Sequence, residues 1–306
     1  MPGGHARPSD ETFEWTAADT ANVVRLPTQD DHKYSRGVVL LRTGSPAYPG
    51  AAVLSTEGAW RAGVGMVRWE GDDDVARLVL QRRPETVVNA GGRLDAWVVG
   101  SGIDARERDP QLTAELRTLL HTGVPVVVDA GALDLVADAR GPLVVTPHDR
   151  ELEEVRIPLG LGIDDLEGER GSLADRLRAG FEERLLVVRE TAVALGGTVL
   201  LKGAETIVAT PGGWWTVVRA GTPWLAAAGT GDVLAGALGA LVAGAATGDD
   251  LDADGLGPLA ATAAWLHGTA ARIAAGVRDG SAGHPITAMD VAAALPEAFA
   301  RAVERG

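Results

Sequence analysis

Short apolar runs that alternate with helical stretches constrain the fold of this chain more than any other sequence feature. The runs are typical of buried strands, and in the first half of the chain they occupy residues 37–42, 65–70, 86–89, 95–100, 124–129 and 142–147. Helical stretches at 51–63 and 108–123 lie between them. Strands separated by helices usually form a parallel sheet with both faces covered. The sequence therefore predicts a three-layer α/β fold, with helices on both faces of a mostly parallel central sheet.

The rest of the chain continues this pattern. Residues 157–171 hold turn residues and acids and are predicted to form an exposed loop, which leads into helical residues 172–196. The strands TVLLKG and TIVAT follow, and PGG at 211–213 joins the second of them to WWTVV as a hairpin. Three helices rich in alanine and glycine end the chain. We assign residues 1–25 to a mobile tail and a short helix capped by Thr16, and residues 26–306 to a single domain.

The charge balance and the lack of cysteine exclude several classes of protein. Lys and Arg number 28 against 42 Asp and Glu, so the net charge is −14, and without a basic cluster this argues against nucleic-acid binding. Without cysteine there are no disulfides, thiolate nucleophiles or thiolate-bound metals. The sequence shows neither an apolar leader segment nor a run of about 18 apolar residues, so we expect no membrane association. We predict a cytoplasmic protein.

Residues 228–232 (AGTGD) carry the strongest chemical signal, directly before an apolar helical run. At a helix start, unpaired N–H groups and the helix dipole favour an anion such as a phosphoryl group. The amides of Gly229, Thr230 and Gly231 are candidates for this role, and Asp232 beside them could act as a general base on a hydroxyl. In the alternative interpretation, Asp232 only complements the helix dipole.

The turn KGAET ends one predicted strand and begins the next. Its members are Lys202, Gly203, Ala204, Glu205 and Thr206. Their backbone and the threonine hydroxyl could line a nucleotide site. The alternative is an ordinary strand connection with a solvated lysine.

A histidine and a carboxylate follow the strand at 142–147, at the edge where α/β sheets bind ligands. His148 could contact a substrate. Glu151 could organise Mg²⁺ through water, since this ion prefers oxygen ligands and keeps several waters. The alternative is a helix start with a glutamate in its first turn. His267, within WLHG, is interpreted as a structural histidine.

Two further turns, Gly100-Ser101-Gly102 and residues 129–132 (DAGA), also follow apolar strands. We therefore expect all these turns to meet at one edge of the sheet. The sequence lacks G-x-G-x-x-G after its first strand, a P-loop and H-E-x-x-H, which disfavours a Rossmann dehydrogenase, a Walker NTPase and a zinc hydrolase.

Together, these motifs resemble the ADP-dependent NAD(P)H-hydrate dehydratase family, a branch of the ribokinase-like superfamily. The combination of GSPAYPGAAVL, TPHDRE and GTGD carries most of the specificity. The similarity runs from about residue 26 to the C-terminus, in consistent order, through HKYSRGVVLL, GSPAYPGAAVLSTEGAWRAGVGMV, VVGSGI, VVVDAGAL, TPHDRE, LLKGAET, GTPWLAAAGTGDVLAG, WLHG and ITAMDV.

The resemblance implies a ribokinase-like fold and a carbon–oxygen lyase that restores NADH or NADPH from the S epimers of their hydrates. ADP, or ATP in some members, would phosphorylate the ring hydroxyl, and phosphate would then be eliminated, with Mg²⁺ screening the polyphosphate. The nucleotide would bind across the KGAET turn and Gly231. The residues implied to contact the hydrated nicotinamide nucleotide are Ala51, Gly102, His148 and Asp232.

The chain departs from the family pattern at two places. Ser101 stands where proline is usual, and Asp149-Arg150 stands where Pro-Gly is usual, which affects the shape and charge of the substrate loop. The resemblance also implies a homo-oligomer and a separately acting epimerase. Two alternatives stay open: a small-molecule kinase of the same superfamily, which would release a stable phosphorylated product, and a nucleotide-binding sensor without turnover.

Overall fold

The computed structural model describes residues 13–161, 171–248 and 251–305. Within them, nine strands form one sheet in the order β3-β2-β1-β4-β5-β6-β7-β8-β9, parallel from β3 to β7 and antiparallel over the last two pairs. The strands are β1 Val38–Arg42, β2 Met66–Trp69, β3 Val87–Val88, β4 Ala96–Val99, β5 Val126–Val128, β6 Leu143–Val145, β7 Thr198–Leu201, β8 Thr206–Ala209 and β9 Trp215–Val218.

The order of the strands reverses at β1. This strand pairs with β2 on one side, where Leu40 lies opposite Arg68, and with β4 on the other, where Leu40 lies opposite Trp97. The chain thus builds one half of the sheet outward from β1 and then returns to build the other half. In open α/β sheets, the crevice beyond the carboxyl ends of the strands at such a reversal is where ligands bind.

Ten α-helices surround the sheet in the described part of the chain. They are α1 Ala17–Val23, α2 Pro49–Arg61, α3 Asp73–Arg82, α4 Pro110–Leu120, α5 Leu152–Arg156, α6 Leu173–Arg178, α7 Phe181–Leu195, α8 Thr230–Ala245, α9 Leu256–Ala274 and α10 Ala288–Arg305.

Alternation along the strands divides the core into two layers. Val39 and Leu41 pack with α2, α8, α9 and α10, whereas Leu40 between them faces the opposite layer, formed by α4, α5, α6 and α7. All three side chains are at most 1% exposed. Helices therefore cover both faces of the sheet, which confirms the predicted three-layer α/β fold.

The predicted hairpin, the three C-terminal helices and the capped N-terminal helix are all present. Thr16 caps α1 in a reciprocal capping box with Asp19. Just before it, the chain pairs with the edge of the sheet, where the Trp15 amide donates to the Val217 carbonyl (2.9 Å). Residues 1–12 of the predicted tail lie outside the described residues, and the division at residue 25 stays a prediction.

One local prediction, the continuous helix at 172–196, was wrong, and another, the loop at 157–171, lies partly outside the described residues. The stretch 172–196, predicted as continuously helical, forms α6 and α7 with a break at Gly180, whose φ of +128° favours glycine. In the predicted loop, residues 157–159 form a short 3-10 helix, and residues 162–170 lie outside the described part. None of the described helices is long and apolar enough to cross a membrane.

Candidate active site

Four neighbouring strands end in polar turns at the same edge of the sheet. β4 leads into Gly100-Ser101-Gly102, β5 into Asp129, β6 into Thr146 and β7 into Lys202. Because β4, β5, β6 and β7 are adjacent and parallel, these turns lie side by side. The sequence-based expectation that they meet at one edge is confirmed.

Asp129 is the centre of this edge and is 3% exposed. Its Oδ1 accepts hydrogen bonds from Lys202 Nζ and from Thr146 Oγ1, both at 2.8 Å. Its Oδ2 accepts a hydrogen bond from Ser101 Oγ at 2.9 Å. A buried carboxylate needs such partners to stay ionised. Three donors from three turns therefore hold one anion at the floor of the site.

Lys202 carries the positive charge of the site. Besides Asp129, its ammonium group contacts Glu151 Oε2 at 3.4 Å. Burial disfavours the charged amine, but the two carboxylates outweigh it and raise the pKa of Lys202 above its usual value. The lysine therefore stays protonated, and its predicted alternative as a fully solvated turn residue is wrong because its side chain is only 21% exposed.

The His148 turn folds back on itself beside Lys202. The His148 amide donates to Glu151 Oε2 (2.8 Å), while His148 Nδ1 accepts from the amides of Arg150 (3.1 Å) and Glu151 (3.2 Å). An accepting Nδ1 leaves the proton of the neutral ring on Nε2. Half of the His148 side chain is exposed, and its Nε2 lies 3.5 Å from Glu151 Oε1.

Helix α8 begins at the same edge. Gly229 precedes it with a φ of +86°, and a Cβ at this position would lie 2.4 Å from Leu54 Cδ1. The Thr230 hydroxyl donates to the carbonyls of Leu225 and Ala227, both at 3.0 Å, which fixes the loop before the helix. The backbone N–H groups of the first turn have no partner within the helix, as the predicted anion site requires.

Gly231 connects this helix start to the lysine. A Cβ on Gly231 would lie 3.7 Å from Lys202 Nζ, so the ammonium group and the first turn of α8 face each other across a narrow space. We call this space, between Lys202 Nζ and the first turn of α8, the phosphoryl path. Positive charge from the lysine and from the helix dipole converges on it.

Asp232 lies in the first turn of α8, partly buried. Burial, reinforced by the negative charge of Asp129 and opposed by Lys202, raises the pKa of Asp232 to about 7. A carboxylate that only complements a helix dipole would have its pKa lowered rather than raised. The upward shift indicates a group able to take up a proton near neutral pH.

Two of the predicted substrate residues, Ala51 and Gly102, lie against each other. A Cβ at Gly102 would lie 2.3 Å from Ala51 Cβ, and the Gly44 amide donates to the Ser101 carbonyl at 2.7 Å. The start of α2 thus packs directly on the turn after β4, at the reversal of strand order. The small size of Ala51 and Gly102 allows this close packing.

The KGAET turn shows a division of roles. Thr206 Oγ1 donates to the Gly203 carbonyl at 3.2 Å, which closes the turn around the exposed Ala204. Glu205 points to the other side, where its carboxylate pairs with Arg219 at 2.7 Å. Only the backbone and Lys202 of this segment therefore face the site.

The unusual Asp149 also has a partner. Both of its carboxylate oxygens bind Arg184 of α7, at 2.8 and 2.9 Å. Arg184 Nη2 would lie 3.2 Å from a Cβ at Gly203. The departure from the family pattern therefore binds an arginine that lies close to the KGAET turn.

Sequence reasoning assigned no role to Asp129, Ser101 or Thr146, although the structure places all three in the site. The available signal was a polar side chain directly after each of several adjacent buried strands. His267 is 7% exposed beside the backbone of Thr230, and burial lowers its pKa to about 4, consistent with a neutral structural histidine.

No group of three or more Asp, Glu or His side chains in the described ranges is arranged to hold a metal ion directly. Glu151 is the acidic side chain nearest the ammonium of Lys202 after Asp129. A divalent ion here would therefore depend on ligand oxygens and water.

The fold defines a class: the chain has the ribokinase-like α/β fold. A ribokinase-like protein of Enterococcus faecalis has the same fold, with a TM-score of 0.76 over 98% of this chain and 100% of that chain at 20% identity. A family model described as NAD(P)H-hydrate dehydratase matches residues 39–284. The chain belongs to this family.

Individual relatives agree with this assignment. The bifunctional NAD(P)H-hydrate repair enzyme of Mycobacterium leprae is 38% identical over 77% of this chain, which spans 47% of that protein. The ADP-dependent (S)-NAD(P)H-hydrate dehydratase of Neisseria meningitidis is 32% identical over 84% of each chain. The crystal structure of ADP/ATP-dependent NAD(P)H-hydrate dehydratase from Bacillus subtilis, co-crystallised with ATP and Mg²⁺, has a TM-score of 0.77 at 25% identity and covers 96% of this chain and 100% of that chain. This chain thus spans about half the length of the mycobacterial relative.

Proposed function

We propose that this chain dehydrates hydrated NADH and NADPH in an ADP- or ATP-dependent reaction. One observation carries the proposal: Asp232 lies in the first turn of α8, where Gly231 faces the ammonium of Lys202, and burial raises the pKa of this carboxylate to about 7. A base, an anion site and a fixed cation within one cleft are the parts needed to transfer a phosphoryl group to a hydroxyl.

The two walls of the cleft suit two different ligands. The nucleotide would bind on the side of Lys202 and Gly203, where the KGAET turn presents its backbone. The hydrated nicotinamide would bind on the side of Ala51 and Gly102, within reach of His148 Nε2. Both would meet at the phosphoryl path beside Asp232.

The chemistry then proceeds in two steps. Asp232 accepts the proton of the hydroxyl on ring carbon C6, and the oxygen attacks the terminal phosphorus of the nucleotide, which releases AMP from ADP or ADP from ATP. The amides of Gly229, Thr230 and Gly231, with Lys202, stabilise the charge on the transferred group. The ring nitrogen next expels phosphate as the C6–O bond breaks, and loss of a proton from C5 restores the dihydropyridine. Phosphorylation replaces hydroxide, a poor leaving group, by phosphate.

The residues present fit a magnesium ion carried by the nucleotide. Glu151 offers a carboxylate beside Lys202, and the described residues provide no direct metal cage, so Glu151 would hold the ion through water. Bound magnesium would neutralise part of the polyphosphate charge. This matters in a chain with a net charge of −14.

A small-molecule kinase would use the same site for the first step, the transfer of a phosphoryl group to a hydroxyl. The family assignment favours the dehydratase, and the two differ in the fate of the phosphorylated intermediate. A cytoplasmic location, a homo-oligomeric state and a separate epimerase complete the proposal and stay predictions.

The test is an assay of the purified chain with hydrated NADH (NADHX) or hydrated NADPH (NADPHX), Mg²⁺ and either ADP or ATP. We expect the absorbance of NADH to recover while one phosphate is released for each NADH formed. A persistent phosphorylated product without NADH would instead establish the kinase. Nucleotide binding without turnover of NADHX or NADPHX would leave the sensor as the function.

A further inference from the structure

Each carboxylate oxygen of Asp129 accepts at least one hydrogen bond from a protein side chain. Oδ1 binds Lys202 and Thr146, and Oδ2 binds Ser101. Asp129, Ser101 and Thr146 are each at most 3% exposed. Their hydrogen bonds therefore act on one another and on Lys202 rather than on solvent or on a ligand.

The position of Lys202 follows from these contacts. A lysine side chain has four rotatable bonds and loses much rotamer freedom when it is held in one place. Here its ammonium group, which has three N–H groups to donate, donates one to Asp129 and forms an ion pair with Glu151. A further N–H group is left for a ligand in the phosphoryl path, where Gly231 lies opposite.

Ser101 controls the orientation of the carboxylate. Lys202 and Thr146 both donate to Oδ1 of Asp129. Without the Ser101 hydroxyl, Oδ2 would therefore be buried and would have no donor among the described residues. A buried carboxylate oxygen in this condition turns or recruits another donor, and the ammonium of Lys202 is the nearest mobile one. The lysine would then be drawn away from the path.

We propose that Ser101 is a positioning residue that acts through Asp129 to fix the ammonium group of Lys202 in the phosphoryl path. The inference rests on the proposed function, in which Lys202 stabilises the transferred phosphoryl group. Thr146 acts on the same carboxylate from the other side, and its hydroxyl has the same task.

The composition of the chain allows a direct observation of Lys202. The sequence contains two lysines, Lys33 and Lys202. Protein labelled with ¹³C-lysine therefore gives two side-chain Cε–Hε signals, and Lys33→Arg assigns them. The signal of the exposed Lys33 is an internal control in every spectrum.

In the unchanged protein we expect the two Hε protons of Lys202 to have separate shifts, because the ammonium group is held in one place. In Ser101→Ala these shifts should move and merge while the Lys33 signal stays, and turnover should fall roughly tenfold, as for a lost hydrogen bond to a charged group. Thr146→Val should do the same. Thr20→Val removes an equally buried hydroxyl in α1 and should change neither.

A double-mutant cycle tests whether Ser101 acts through the lysine. In a Lys202→Met background, Ser101→Ala should lower turnover no further, whereas independent effects would multiply. An unchanged Lys202 signal in both Ser101→Ala and Thr146→Val, or multiplied losses in the cycle, would overturn the inference. The spectra need no turnover, so an inactive protein with the expected Lys202 shifts would refute only the proposed dehydration.

Discussion

Asp232 is the residue on which the proposed chemistry depends most. Its carboxylate lies beside the unpaired amides of α8 and would accept the proton of the substrate hydroxyl. Asp232→Asn keeps the shape and removes the base, so we expect nucleotide binding to persist while turnover falls by at least ~10²-fold. Calorimetry with MgADP and a steady-state assay measure the two effects. Near-normal turnover in the folded variant would exclude Asp232 as the base.

The raised pKa of Asp232 predicts the pH dependence of activity. The base is active when deprotonated, so kcat/KM should rise with pH around pH 7. An aspartate with the ordinary pKa of about 4 would place this rise near pH 4. Asp129→Asn removes the neighbouring negative charge and should move this acid limb to lower pH. A limb that stays in place would mean that Asp129 has no influence on the titration.

The same shift affects stability. Because the folded-state pKa of Asp232 lies above its unfolded value of 3.8, the folded protein binds more protons between these two values. Asp232 therefore contributes a stabilising protonation that is present at low pH and is lost as the pH rises toward 7. Comparison of urea unfolding of the unchanged protein and Asp232→Asn at pH 5 and pH 8 would show it as a pH-dependent difference.

At the scale of elements, the start of α8 depends on two glycines with different roles. Gly229 has a positive φ and no room for a Cβ beside Leu54, whereas Gly231 lies within the helix and a Cβ there meets Lys202 only at ordinary contact distance. The positive φ at this helix start thus belongs to Gly229, and Gly231 keeps the phosphoryl path open.

This difference predicts that substitutions at Gly229 reduce stability, whereas substitutions at Gly231 reduce turnover. Gly229→Ala should destabilise the protein by about 1–3 kcal/mol through backbone strain and the clash with Leu54. Gly231→Ala should fold normally, and Gly231→Val should reduce turnover per folded molecule by ~10² or more, because the side chain enters the path. Circular dichroism gives the folded fraction for each. Full turnover per folded Gly231→Val molecule would refute a role in the path.

At the scale of the whole molecule, the candidate site lies near the place where the two halves of the sheet meet. One wall comes from the start of α2 and the turn after β4, and the other from the turns after β6 and β7 with α8. A ligand that binds the folded cleft alone must stabilise the entire fold, by about 2.7 kcal/mol at a hundredfold excess over its Kd.

We therefore expect MgADP at that excess to raise the melting temperature by several degrees, and Lys202→Met to reduce the shift at the same nucleotide concentration. Differential scanning calorimetry over a series of nucleotide concentrations measures this. A melting temperature that is independent of nucleotide up to millimolar concentration would contradict a nucleotide site in the cleft.

The sequence by itself determined the layers of the fold and predicted that the polar turns meet at one edge of the sheet. Short apolar runs and Ala-rich helical stretches are local properties of the chain, so the strands, the hairpin and α8 could be predicted. Turns that follow parallel strands meet at one edge whatever their details. The break at Gly180 was missed because the flanking residues 173–178 and 181–195 both have helical patterns.

Only the tertiary structure decided which polar groups touch. The three side chains that bind Asp129 are far from it in the sequence: Ser101 is 28 residues away, Thr146 is 17 and Lys202 is 73. No local pattern encodes such contacts. The structure also shows that Ser101 supplies a hydroxyl that a proline at this position could not. The pKa of Asp232 likewise depends on burial and on a charge brought near by a different strand. Interactions between residues close in the sequence determine helices and strands, whereas the pKa values and hydrogen bonds of a site depend on residues that the tertiary structure brings together.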